Sequence, residues 1–142
     1  MKRIALSLVA LCLLLAACNK DQRTVNHLDG EWTIDRWVQD GQNIVLDRGT
    51  MEFEKCKQKD GECDGELDYT DTFLDIFGNT HTQTTIHQLR YKVSEDGERM
   101  TLTVIEDGHE DVLDVDLKLD GDNLELDWQE GSVVTKMELT RS

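Results

Sequence analysis

Two histidines, two cysteines and a run of carboxylates are the residues whose types and spacing could do chemistry in this chain. On a continuous strand near residues 81–93, one face would carry His81, Gln83, Thr85, His87, Leu89, Tyr91 and Val93. Its Leu89 end would be core, and its His81 end would set polar groups toward a barrel mouth. A ligand pocket needs that gradient, being mostly apolar with a few placed polar groups. The competing reading, the one taken forward, makes Ile86 the buried residue, has a bulge switch the faces, and leaves the polar run an exposed loop. His81 and His87 are too few for a zinc site, and no metal is expected. Asp60, Glu62, Asp64, Gly65 and Asp71 echo a calcium loop, but Glu stands third, Asp stands twelfth and no helices flank them. A charged hairpin tip is the expectation there. No Gly-x-Ser-x-Gly elbow, no HExxH and no phosphate loop occurs. With 30 acidic residues, carboxylate spacing carries no information. We therefore expect neither an enzyme nor a cofactor.

The cysteines divide by context. Residues 1–18 read MKRIALSLVALCLLLAAC: Lys2 and Arg3, an apolar run from Ile4 to Leu15, then small residues. The run is short for a membrane span and fits a targeting leader. Leu15-Ala16-Ala17-Cys18 resembles the lipobox of bacterial lipoproteins. That resemblance implies a signal peptide over 1–17 that carries Cys12 away, and a lipidated Cys18 that anchors the protein in the cell envelope. By the same resemblance, Asn19 favours the outer membrane, on its periplasmic or surface face. Cys56 and Cys63 then form an even pair in an oxidising compartment, flanking the turn-like segment 57–62. A disulfide closing that short loop is the natural reading, contributing about 2.5 kcal/mol by chain entropy.

Without residues 1–17 the chain keeps thirteen basic residues against thirty acidic ones, a formal charge of −17. Phosphate contacts need Lys and Arg, so nucleic acid is not an expected partner. An acidic, solvated surface suits a soluble extracytoplasmic domain.

The elements that must position these residues are strands. Leu113, Val115, Leu117 and Leu119 alternate with Asp114, Asp116 and Lys118. Leu124, Leu126 and Trp128 do the same, as do Val133, Thr135, Met137 and Leu139, and Met100, Leu102 and Val104. Period two with one polar face predicts antiparallel strands over a single core. Asp-Gly recurs at 29–30, 40–41, 60–61, 64–65, 96–97, 107–108 and 120–121, supplying hairpin turns. About eight to nine strands are predicted by this rule, drawn from 31–38, 42–46, 50–56, 63–69, 73–77, 81–93, 100–106, 110–119, 123–128 and 132–140. The expected fold is all-β, an up-and-down meander closing into a barrel over 28–142. Residues 18–27 read as a lipidated tether.

Leu28-Asp29-Gly30-Glu31-Trp32 reads L-x-G-x-W. It resembles the first-strand signature of lipocalins, especially small lipocalin-like bacterial lipoproteins. Met51-Glu52-Phe53, Tyr91-Lys92-Val93-Ser94 and Met137-Glu138-Leu139-Thr140-Arg141 agree. The resemblance implies that Trp32 closes one end of the barrel and that Arg141 packs over it. Both are structural on this view. The leading expectation is a small apolar or amphipathic ligand inside, with Phe53, Tyr69, Tyr91 and Trp128 as walls and His87 near the mouth; the alternative is that these aromatics simply fill a solid barrel. The competing class is a protein-interaction module, such as an envelope assembly factor or a protease-inhibitor-like barrel.

Overall fold

The alternating pattern folds into nine strands of one antiparallel sheet. In the computed structural model, which describes residues 20–142, these are β1 (Gly30–Gln39), β2 (Gln42–Ile44), β3 (Arg48–Phe53), β4 (Cys63–Leu74), β5 (Thr80–Ser94), β6 (Arg99–Glu106), β7 (His109–Asp120), β8 (Asn123–Glu130) and β9 (Val133–Arg141). The spatial order is β2-β1-β3-β4-β5-β6-β7-β8-β9, with β1 also paired to β9. That last pairing closes β1 and β3–β9 into an eight-strand up-and-down barrel, as expected from the sequence. The short β2 borders the far half of β1, and β3 borders the near half. The lipobox, Cys12 and Cys18 lie outside the described residues.

Parity decides what is inside. Val93↔Met100, Tyr91↔Leu102 and Leu89↔Val104 are cross-strand pairs on the inner face. All six are apolar in side chain or, for Tyr91, nearly so, and all but the half-buried Val104 are buried. Gly65, paired with Leu89, is required by close approach: a Cβ there would lie 2.6 Å from the Glu52 carbonyl oxygen. One expected strand, near 73–77, does not form. Phe73 and Leu74 finish β4 and the chain then turns, because Asp75 captures the following amides.

The end of the barrel near residues 30, 53 and 141 is sealed. Residues 20–28 form a helix, not the extended tether read from the sequence. Val25 and Leu28, three apart on one helix face, are completely buried and cap the core. The polar sequence around them hid this short amphipathic stripe. Trp32 is also fully buried, and its Nε1 donates to the Leu28 carbonyl at 2.8 Å. The Arg141 guanidinium lies 4.3 Å from the Trp32 ring centroid. It donates to the Asp29 carbonyl at 2.9 Å and to the His27 carbonyl, fastening the helix end to β9. The roles expected for Trp32 and Arg141 are those observed.

The Cys56–Cys63 disulfide forms, with Cα atoms 5.3 Å apart. Beside it, the buried Gln58 amide donates to the Val93 carbonyl at 3.1 Å and accepts from the Val93 amide. Gln22 reaches from the helix to the Cys56 carbonyl at 2.7 Å and accepts from the Gln58 amide at 3.1 Å. The loop over 54–62 is thus held by a covalent bond, the helix and β5 together.

Leu28→Ala should lower the unfolding free energy of the full chain by about 2–5 kcal/mol, the cost of a cavity in a packed core. Urea unfolding followed by Trp fluorescence checks this. An unchanged midpoint would show that the helix does not belong to the folding unit.

Candidate functional site: an apolar cup at the open end

The opposite end of the barrel is open. A cavity of about 190 Å³ enters it, walled by Trp37, Met51, Leu67, Leu89, Leu102, Val104, Leu113, Trp128 and Met137. His87, Gln39, Asp111, Glu130 and Thr135 add polar groups to the lining. Apolar walls with a few polar groups are the composition of small-molecule sites. The volume is small. An apolar cavity of about 150 Å³ accommodates a benzene-sized molecule, so this cup suits one ring or the end of an acyl chain.

A break in strand period builds the cup. On β1, Trp32 and Ile34 point inward, and strict alternation would place Arg36 there next. Instead the β1–β9 register shifts between Ile34 and Arg36, so that Trp37 pairs with Met137. The bulge turns Trp37 into the barrel and leaves Arg36 outside, 3.5 Å from Glu138. Trp37 Nε1 is buried and has no hydrogen-bond partner among the described residues. An indole N–H on the wall of an open cup is a donor for a ligand acceptor or for water. Sequence reading missed Trp37. Its signal was the three-residue gap between Ile34 and Trp37, which breaks period two.

Three rings line up across the mouth. Trp37 meets Tyr69 edge-on, with centroids 5.4 Å apart and planes at 86°. Tyr69 meets His87 at 6.1 Å. Of the five residues expected to contact a ligand, His87 and Trp128 line the cavity, and Tyr69 stands behind Trp37. Phe53 and Tyr91 do not reach it. They are fully buried toward the sealed end, where their rings pack edge-on at 5.1 Å. The Tyr91 hydroxyl donates to the Glu54 carbonyl at 2.9 Å. Burial, with the Asp29 and Glu54 charges, pushes its pKa well up, so it stays a protonated structural donor.

The face containing His81 and His87 exists as one continuous strand, and the bulge reading taken forward is overturned. β4 and β5 pair without a register shift from Cys63↔Tyr91 to Leu74↔Thr80. Ile86 points outward and is 57% exposed. Leu89, Tyr91 and Val93 set one parity for the whole of β5, and threonine pairs hold it outside the core: Thr70 with Thr84 and Thr72 with Thr82, each at 3.0 Å. The His81 end runs past the cup, because β6 pairs with β5 only from Gln88 to Ser94. The β4–β5 hairpin therefore projects beyond the barrel wall.

Asp75 organises its tip. One carboxylate oxygen accepts from the Phe77 and Asn79 amides, both at 2.8 Å. The other accepts from the Asn79 side chain at 3.1 Å and pairs with His81 Nε2 at 2.8 Å. His81 in turn stacks on Phe73 at 5.7 Å. Ile76 and Phe77 are left standing in water, 93% and 82% exposed. Neither histidine sits in a metal-binding set: among the described residues no group of three His, Cys, Asp or Glu is placed to hold an ion. Of the run read as a charged hairpin tip, Asp64, Gly65 and Asp71 instead lie along β4, and Glu62, just before it, stands 3.6 Å from Arg90.

A larger groove, about 550 Å³, lies outside the sealed end among Thr24, Asp96, Leu117, Asp122 and Arg141. It opens to solvent between charged turns and lacks the convergent apolar walls of the cup. Comparison with known proteins yields no matching family model and no matching curated protein.

The Asp75 carboxyl is lowered from 3.8 to about 2, chiefly by the His81 hydrogen bond and then by Asn79. A depressed acid stabilises the fold above its unfolded value and loses that contribution as pH falls through the folded one. The tip should therefore be intact at pH 4 and loosen toward pH 2. An NMR titration of the Phe77 and Asn79 amides should give a midpoint near the lower value. A midpoint at 3.8 or above would show that Asp75 does not hold the turn.

Proposed function

We propose that this protein is a lipid-anchored envelope lipoprotein whose lipocalin-like barrel binds a small apolar or amphipathic molecule in the open-end cup. The observation that carries the reading is the cup itself: apolar walls, two indoles, an unpaired Trp37 N–H and polar groups at the lip. The lipobox-like Leu15-Ala16-Ala17-Cys18 supplies the anchor. No covalent chemistry is assigned to the protein. Binding is driven by removing apolar surface from water at roughly 25 cal/mol per Å². The ligand carries an acceptor for Trp37 and an uncharged or cationic head, because Asp111 and Glu130 border the entrance and the mature chain is strongly acidic.

The sealed end fits this arrangement. Lys20 lies at the start of the described helix and pairs with Asp96 beside the sealed end at 3.7 Å. A lipid on Cys18, two residues earlier, would hold that end against the membrane and turn the cup away from it.

Two tests address the two halves of the reading. Cys18→Ala should block lipidation and leave the precursor unprocessed or mislocalised, whereas cleavage of the variant at the same bond, with no acyl mass on the native protein, would sink the anchor. For the cup, a neutral aromatic or short-chain alcohol probe should perturb Trp fluorescence saturably. Its carboxylate analogue should bind more weakly, and added salt should narrow that gap. Trp37→Leu should weaken binding by about 1–3 kcal/mol through loss of the donor and of ring contact. If no probe saturates and Trp37→Leu changes nothing, the ligand reading falls and the interaction-module reading takes its place.

A further inference from the structure

One stretch of backbone is left without a partner strand. β5 pairs with β4 continuously from Thr80 to Tyr91. On its other side it pairs with β6 only from Gln88 onward. Residues 80–87 therefore offer an open edge, where alternate residues direct both N–H and C=O outward. Natural edge strands are guarded by lysines, prolines, bulges or inward charges. None is present here. The edge reads Thr80-His81-Thr82-Gln83-Thr84-Thr85-Ile86-His87, regular and rich in β-branched residues.

Charge points to the occupant. The chain holds 45 charged residues, 30 acidic and 15 basic. Yet between Thr72 and Leu89 the sole formally charged residue is Asp75, and its carboxylate is turned onto Phe77, Asn79 and His81 within its own hairpin. A basic partner would find no anion to recognise at this edge, and an acidic partner no cation. A second copy of this chain is repelled over most of its surface by a net charge of −15 but meets no like charge on the edge strand itself; the nearest carboxylates, Asp68 and Asp71, stand one strand behind it, opposite Ile86 and Gln83. An antiparallel edge paired with itself is also the two-fold, isologous contact that homodimers favour.

We propose that this chain dimerises by antiparallel pairing of residues 80–87 with the same segment of a second copy, joining two barrels through one continuous sheet. Opposed residues in such a sheet share a face, so the two-fold axis passes through a residue position and not between two. With the axis at Thr84, Thr82 stands opposite Ile86, and His81 opposite His87. The proposal needs neither the cup ligand nor the lipid anchor.

Single cysteines at Thr82, Gln83, Thr84 and Thr85, one per full-length chain, test it. The residue on the axis faces its own copy with Cα atoms about 4.5–5.5 Å apart, inside the about 4.4–6.8 Å range of a disulfide. One of the four positions should therefore convert more than half of the chain to a disulfide-linked dimer on non-reducing gels, and its immediate neighbours much less. The unsubstituted chain and Lys118→Cys, on the outer face of β7, give the background. Thr84→Lys lies outside the core, leaves the β-type circular dichroism intact, and should abolish that dimer when combined with the reactive cysteine; if Thr84 is itself the axis, Thr82→Lys, also outside the core, takes its place beside Thr84→Cys. Cross-linking no greater than background at all four positions, or equal at all four, overturns the proposal. So does a chain that stays monomeric and pairs this edge with a different protein.

Discussion

The barrel depends on one constraint: β1 must serve two ends of the molecule that require opposite parity. It pairs with β9 along nearly its whole length, and that pairing closes the sheet. At the sealed end Trp32 has to face inward, under Arg141 and against Leu28. At the open end Trp37 has to face inward as well, although five residues separate the two. A strand of period two cannot do both. The bulge between Ile34 and Arg36 supplies the extra residue, and closure of the barrel fixes where it lies. Gly49 sits beside it, so tightly that a Cβ there would fall 3.0 Å from Ile34 Cδ1 and 2.9 Å from Leu46 Cδ1. The same local irregularity therefore seals one end and furnishes the other.

The two ends divide the labour in physical terms. The sealed end spends its polar groups on internal bonds: Gln58 on Val93, Tyr91 on Glu54, Arg141 on two carbonyls, and Asp21 on the Gly97 amide at 2.8 Å. The open end leaves groups unspent, with Trp37 Nε1 unpaired and Ile76 and Phe77 in water. Costs of that kind persist where something outside the chain offsets them. The cup and the projecting hairpin are therefore where a ligand or partner would relieve most, and the helix-capped end is where internal bonding is concentrated.

Much of the fold was legible in the sequence because the signal was local and repeated. Alternation in 113–119, 124–128 and 133–139 identified β7, β8 and β9, and Asp-Gly pairs marked turns such as 107–108. The Cys56–Cys63 staple followed from a short spacing, and Trp32 and Arg141 from a motif. The site was less legible, since its geometry depends on parity carried across strands. Phe53 and Tyr91 share aromatic character with Trp128, but only register shows that they belong to the sealed half. Ile86 looked like core because it is apolar in a polar run; pairing with Asp68 on the outer face decides otherwise. Residues 18–27 looked like a tether because Val25 is the lone apolar residue after Cys18 there, and its stripe with Leu28 is weak until a barrel end needs covering.

The most direct test of the account is a crystal structure of the protein under xenon pressure. If the inner part of the cup, walled by Trp37, Leu102, Leu113 and Trp128, is dry, it should hold xenon, as dry apolar cavities of this size do. Strong xenon density between those side chains, and none in the groove beside Arg141, is the result expected. A cup filled by collapsed side chains, or by ordered waters hydrogen-bonded to Trp37 and Thr135, would contradict it.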